Sequence, residues 1–287
     1  MSFIINPYRF ATAGGGGVLD SYSSNLMVAH SVSRRLLTNY TGALFKVRRS
    51  SDNATQDISY GVDNWADTAA LATFIGANSG YVDTLYDQSG NGRHMSQGTF
   101  SAQFRVVNAG VNDTLGGKLT LFHSGANWTM MMSTTSTFTS YTGTTMSVFA
   151  RGLNGIAANN YRFVSVTNNT STDYLSSAQC AIILSTTPPG TGWQSYRAAH
   201  LANSIQTPAT SDGLISAIAD GTNLKLRDGT NTGSAASSAA FNINRVLIGG
   251  YTSINPYAAQ SSKFAEVILW TSDQTSNEAA IRSALIY

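Results

Sequence analysis

The sequence holds little charge: Asp, Glu, Lys and Arg make up 11% of its 287 residues, against about 25% in an ordinary soluble protein. Ser, Thr, Asn and Gly fill the surface positions instead, a mix that suits a β-rich protein facing the exterior. The net charge is +2 and no basic run exceeds Arg34-Arg35 or Arg48-Arg49, so a phosphate-tracking surface, and with it a nucleic-acid partner, is excluded. A single cysteine, Cys180, excludes an internal disulfide, and its setting in AQCAIIL is that of a buried small hydrophobe. No apolar stretch approaches the roughly 18 residues of a membrane span. Residues 1–13 lack a basic opening and their apolar run Phe3-Ile4-Ile5 is broken by Asn6-Pro7, so they do not read as a secretory signal.

Recognisable catalytic templates are missing as well. The chain has no G-x-S-x-G elbow and no phosphate-binding G-x-x-x-x-G-K-[ST]. Met95 stands where a dinucleotide fingerprint beginning at Gly90 would need its third glycine. His30, His94, His123 and His200 are scattered without metal-ligand spacing. The turn Asp87–Gly92 offers hard oxygens that suit Ca²⁺, with a metal-free reversal as the competing reading. No cofactor is expected, and no metal site is assigned.

Two stretches anchor the fold. Leu44, Phe45 and Val47 alternate with Lys46 and Arg48 as in a strand, which Ser50-Ser51-Asp52-Asn53 then stops with side chains that bond their own backbone. Of Arg48 and Arg49, one is expected to pair with a buried carboxylate such as Asp57 or Asp87 and the other to be solvated. A second strand, Tyr81–Tyr86, is halted by Asp87-Gln88-Ser89-Gly90-Asn91-Gly92, whose glycines permit a tight reversal. Leu26, Ala29, Val32, Leu36 and Leu37 fall near three-four spacing, which predicts a helix over 25–38. A second helix is predicted over 68–75 with Asp67 as N-cap. A third should open at the capping box Thr275-Ser276-Asn277-Glu278 and present Ile281, Ala284 and Leu285. From Gly98 onward, short strands separated by Gly, Asn, Ser and Thr give the rhythm of a sandwich or jelly roll, with a hairpin turn at Asp220-Gly221. Residues 1–19 stand apart as an arm with a four-glycine hinge, Gly14 to Gly17, followed by one domain over 20–287, with a terminal strand on the domain's own sheet as the competing reading of the arm.

LFKVRRSSDNATQDI and YDQSGNGRHM, supported by IGGYTS and KFAEVILW, resemble the catalytic domain of the arabinofuranosidase B family and, more loosely, laminin-G or concanavalin-like jelly rolls. The resemblance implies an all-β jelly-roll β-sandwich with two or three short peripheral helices. It further implies a retaining glycosidase, which uses one carboxyl as nucleophile and another as acid/base. This sequence has two glutamates, Glu266 and Glu278. The segment that would carry the family's nucleophile, between Tyr161 and Tyr196, contains one acid, Asp173. The position after Ile248-Gly249-Gly250, where the family's acid/base sits, is Tyr251, and the family's adjacent cysteine pair is impossible here.

On that basis the expected function is non-catalytic. A chain without an export signal but with an external-type surface fits a phage virion protein, a capsid decoration or tail-associated jelly roll made in the host cytoplasm and located on the virion. Its expected partners are other virion subunits, held through Phe3, Ile4, Tyr8 and Phe10 of the arm, and host or environmental polysaccharide. Trp65, Trp128, Trp193, Tyr251 and Tyr257 are the candidate sugar-stacking residues. The alternative is an arabinofuranosidase-like glycoside hydrolase that draws its carboxyls from Asp173 with Asp212 or Asp220.

Overall fold

Residues 26–31 form a strand where three-four spacing predicts a helix. All six side chains of LMVAHS are buried, because this strand is covered on both faces. An apolar run of that kind satisfies helix and strand periodicities equally well. A computed structural model describes residues 16–125, 132–134, 141–153, 162–168, 179–181, 193–197, 205–207, 213–238, 240–252, 255–256 and 261–287. Its principal elements in chain order are β1 (Leu26–Ser31), β2 (Phe45–Arg49), β3 (Thr55–Ile58), α1 (Thr68–Ile75), β4 (Gly80–Leu85), β5 (Met95–Ser96), β6 (Arg105–Asn108), β7 (Leu121–Phe122) and β8 (Met132–Thr134). They continue with β9 (Thr145–Leu153), β10 (Val164–Thr167), β11 (Leu214–Asp220), β12 (Asn223–Asp228), β13 (Asn231–Ala236), β14 (Arg245–Ile248), β15 (Lys263–Trp270) and α2 (Glu278–Leu285).

The strands make a β-sandwich of jelly-roll type. One sheet runs β1–β15–β9–β11–β12–β13, every neighbouring pair antiparallel. The other runs β3–β2–β4–β5–β8–β14–β10 and continues through Gln179–Ala181 and Trp193–Arg197. β6 and β7 join the two, since β6 pairs with β4 and β7, and β7 pairs with the start of β15. The inner faces meet in one core that brings Phe45, Val47, Val82 and Ile248 together with Val148, Ala217, Leu226 and Leu269.

A second apolar cluster lies on the outer face of the first sheet. Phe149, Leu214, Ile218, Ile268 and Trp270 are covered there by Ile281 and Leu285 of α2 and by Leu19, Leu36 and Leu37. This extra layer explains why β15 is buried along nearly its whole length and why β1 does not alternate. Trp270 packs edge-on against Phe149 at 5.5 Å and donates its Nε1–H to the Tyr22 carbonyl at 2.6 Å. Where β9 bulges against β15, a Cβ on Gly152 would stand 2.1 Å from the Lys263 carbonyl oxygen, so only glycine fits.

The helix α1 forms as expected, with the Asp67 carboxylate accepting from the Ala70 N–H at 2.9 Å. At the other end of the chain the predicted capping box is absent. A 3-10 turn, Thr275–Asn277, precedes α2, and Glu278 accepts from the Ser216 hydroxyl of β11 rather than reaching back along its own helix. The expectation for Arg48 and Arg49 is also corrected. Arg48 is buried, but donates to the Gln103 and Asn53 side-chain oxygens, while Arg49 pairs with Asp52 at 2.6 Å. Asp57 instead accepts from the Tyr86 hydroxyl.

Candidate functional site

The Asp87–Gly92 turn works as an internal tie. Asp87 is buried, and its carboxylate accepts from the backbone N–H groups of Ala29, Ser89 and Arg93 and from the Ser89 hydroxyl, all within 3.0 Å. Gln88 ties down the segment that follows β1 by accepting from Leu36 N–H and donating to the Arg34 carbonyl. Burial alone would raise the Asp87 carboxyl, but the neighbouring His30 imidazole and those backbone donors more than offset it, so the group sits below its ordinary value. With its oxygens taken up by protein donors, the turn leaves no carboxylate lone pairs aimed at a cation, and among the described residues no His, Cys, Asp and Glu cluster has metal-binding geometry.

Across the first sheet from this turn sits a buried ion pair. Arg34 Nε lies 2.7 Å from Glu266 Oε1, and Nη2 lies 3.4 Å from Oε2 and 3.2 Å from the Leu285 carbonyl oxygen. Ser31 Oγ also donates to Glu266. The guanidinium is stacked near Trp65 and Tyr287, and Arg151 lies 3.9 Å over the other side of the Tyr287 ring. Burial, with Glu266 alongside, pushes the Tyr287 phenol up to about 12. Just outside this cluster a cavity of about 200 Å³ is lined by Ser33, Asp63, Trp65, Thr68 and Lys118.

That arrangement decides what Trp65 can do. Lys118 Nζ lies 3.8 Å from its ring centroid, and Tyr287 meets it edge-on at 4.9 Å. With Arg34 also at 5.2 Å, the indole is engaged by protein cations and an aromatic edge rather than presented as a bare platform. Trp193 is buried and packs on Phe163 at 5.5 Å. Tyr251 belongs to the short strand Gly250–Thr252 that follows β14. Trp128, Tyr257 and the arm residues Phe3, Ile4, Tyr8 and Phe10 lie outside the described residues. Among the described side chains, Trp65 and Trp193 are thus each engaged by protein neighbours.

Most carboxylates of the described residues hold the fold. Asp113 pairs with Arg105 at 2.8 Å, and Asp220 caps the β11–β12 turn by accepting from Thr222 N–H and Asn223 N–H. The Lys225 ammonium bonded to Asp220, together with those backbone donors, holds the Asp220 carboxyl well below the usual range. Glu278 differs from Glu266 in lining an open cleft of about 260 Å³ beside β12 and β13.

The profile of the family described as "Alpha-L-arabinofuranosidase B, catalytic" matches residues 19–181, more than half of the sequence. The chain belongs to this arabinofuranosidase B catalytic family. It is similar to a probable alpha-L-arabinofuranosidase B of Aspergillus flavus, 38% identical over 91 residues, which covers 30% of this chain and 18% of the relative. It is also similar to an alpha-L-arabinofuranosidase of Hypocrea jecorina, 40% identical over 84 residues, covering 28% and 17% respectively. The matched segment thus spans about a fifth of the length of these curated relatives. Among solved structures, a GH54 arabinofuranosidase soaked with a cyclic sulfate inhibitor superposes with a TM-score of 0.68 at 20% identity, over 94% of this chain and 66% of that one. An arabinofuranosidase complexed with arabinofuranosyl-alpha-1,2-xylobiose gives 0.65 at 20%, over 93% and 65%. At such identities these likenesses establish the fold.

Membership of the arabinofuranosidase B family overturns the reading of the chain as a non-catalytic virion protein. The relatives are fungal enzymes, so capsid or tail partners, and a virion location, have no support.

Proposed function

We propose that the chain is a glycoside hydrolase domain acting on α-L-arabinofuranosides, with arabinose-bearing polysaccharide as its substrate class. The family match over residues 19–181 carries this reading. A retaining glycosidase needs two carboxyls flanking a sugar ring. Glu266 is locked by Arg34, Asp87 by backbone donors and Asp220 by its turn. Asp173 and Asp212, which lie outside the described residues, are the acids we assign to the reaction, as nucleophile and proton donor without a fixed order. Release of 4-nitrophenol from 4-nitrophenyl α-L-arabinofuranoside by the purified chain tests the reading, and no release above the buffer rate would overturn it.

A further inference from the structure

The cleft beside Glu278 is built from two elements that the sheet order brings together. On β12, Leu224, Leu226 and Asp228 are buried, while Lys225 and Arg227 are half-exposed and share the opposite face. Antiparallel pairing sets Arg227 across from Thr232 and Lys225 across from Ser234 on β13. On the other side, Ser216 and Ile218 of β11 are the partners of Arg227 and Lys225. Helix α2 covers those two residues, because Ile281 and Leu285 pack with Ile218 and Glu278 holds the Ser216 hydroxyl at 2.5 Å. The first turn of α2 borders the cleft through Glu278, Arg282 of the same helix donates to the Arg227 carbonyl of β12, and Thr232, Gly233 and Ser234 of β13 complete the lining.

The chemistry of the walls is mixed. Lys225 is already neutralised by Asp220 at 2.9 Å and also donates to Thr275 Oγ1. Arg227 uses Nε on the Gly229 carbonyl, which leaves both terminal amino groups without a partner among the described residues. Glu278 uses one oxygen on Ser216, which leaves the other open to the cleft. One unspent cation, one unspent carboxylate oxygen and two hydroxyls offer donors and acceptors with no net charge. An anion would meet Glu278 and a cation would meet Arg227, whereas vicinal hydroxyls of a sugar can give to one and take from the other. The volume of about 260 Å³ falls just below the roughly 300–1,000 Å³ range of small-molecule pockets, which suits one ring rather than an oligomer.

We propose that this cleft is a second, non-reacting sugar site that holds a single uncharged pentose unit through Arg227, Thr232, Ser234 and Glu278. It lies on the outer face of the first sheet, whereas β14 belongs to the other sheet and Gly250–Thr252 pairs with Asn255–Pro256 in a small ribbon of its own. The proposal goes beyond the hydrolase reading and rests on it only for the choice of a pentose.

Titration of the full ¹⁵N-labelled chain with L-arabinose, and separately with inorganic phosphate, tests it by amide shifts. L-arabinose should move the amides of Thr232, Gly233 and Ser234 saturably, and phosphate should not. Arg227→Ala should weaken that binding at least five-fold while release of 4-nitrophenol stays unchanged. Ser234→Ala provides the same reading if loss of the Gly229 contact harms folding. Shifts confined to other regions, or a response to phosphate alone, would overturn the site. Hydrolysis without these shifts removes the cleft and leaves the proposed function standing; the shifts without hydrolysis do the reverse.

Discussion

Arg34 and Glu266 show how much a single buried residue is asked to do. Both are almost fully covered, 6% and 2% exposed, and each satisfies the other's charge. Such a pair contributes little net stability over apolar side chains, yet stranding one partner costs about 3–5 kcal/mol. Glu266→Ala should therefore lower the urea-derived unfolding free energy by about that much, and Arg34→Met combined with Glu266→Leu should recover most of it. A double variant as damaged as the single one would show that packing, not charge, is at stake. His30 gives a second test. Its Nδ1 lies 3.2 Å from the Tyr86 carbonyl oxygen and so carries the hydrogen, while Nε2 is buried without a hydrogen-bond partner. Burial lowers its pKa, and His94 works in the same direction against the opposing pull of Asp87. The unfolded chain then binds the proton more readily than the native one, so stability is full above the ordinary histidine value near 6.5 and is lost as pH falls below it. Melting temperature should drop on acidification through that window, and His30→Gln should shrink the drop; His123, shifted the same way by burial, accounts for what remains. Neither residue's role was legible from sequence, because each depends on a partner or a cover supplied from far along the chain.

At the scale of elements, local signals succeeded where local contacts rule. Asp67 caps α1 because its carboxylate reaches an N–H three residues on, and Asp67→Ala should cost about 1 kcal/mol by chemical denaturation. A loss within a few tenths would mean that packing of Leu71 and Ile75 holds the helix alone. The β11–β12 hairpin likewise turns where Asp220-Gly221 puts it. Helix 25–38 failed for a different reason. Ser31 Oγ accepts from the N–H groups of Ser33 and Arg34 and ends a strand, and the apolar residues before it are buried on both faces, Val28 in the inner core and Ala29 in the outer cluster. The capping box failed because the Ser216 hydroxyl, 62 residues away, offers Glu278 a partner.

For the whole molecule, the catalytic assignment is the claim to test. Asp173→Asn and Asp212→Asn should each cut hydrolysis of 4-nitrophenyl α-L-arabinofuranoside by at least a hundredfold, the scale on which a general acid–base group contributes. Asp220→Asn should leave the rate nearly intact while loosening the β11–β12 turn, and full activity in all three variants would remove the assignment. The sequence by itself determined the sandwich and the family. Alternating strands, turn residues and the two motifs around Arg48 and Asp87 encode short-range geometry that any chain carrying them must adopt. Only the tertiary structure decided that the first sheet carries a second apolar layer on its outer face. It also decided that Trp65 is hemmed in by Lys118 and Tyr287, and that Glu266 is spent on Arg34 while Glu278 looks into an open cleft. These outcomes turn on which side chains meet from distant parts of the chain, as Arg34 and Glu266 do across 232 residues, and no periodicity records which cation arrives to claim which acid.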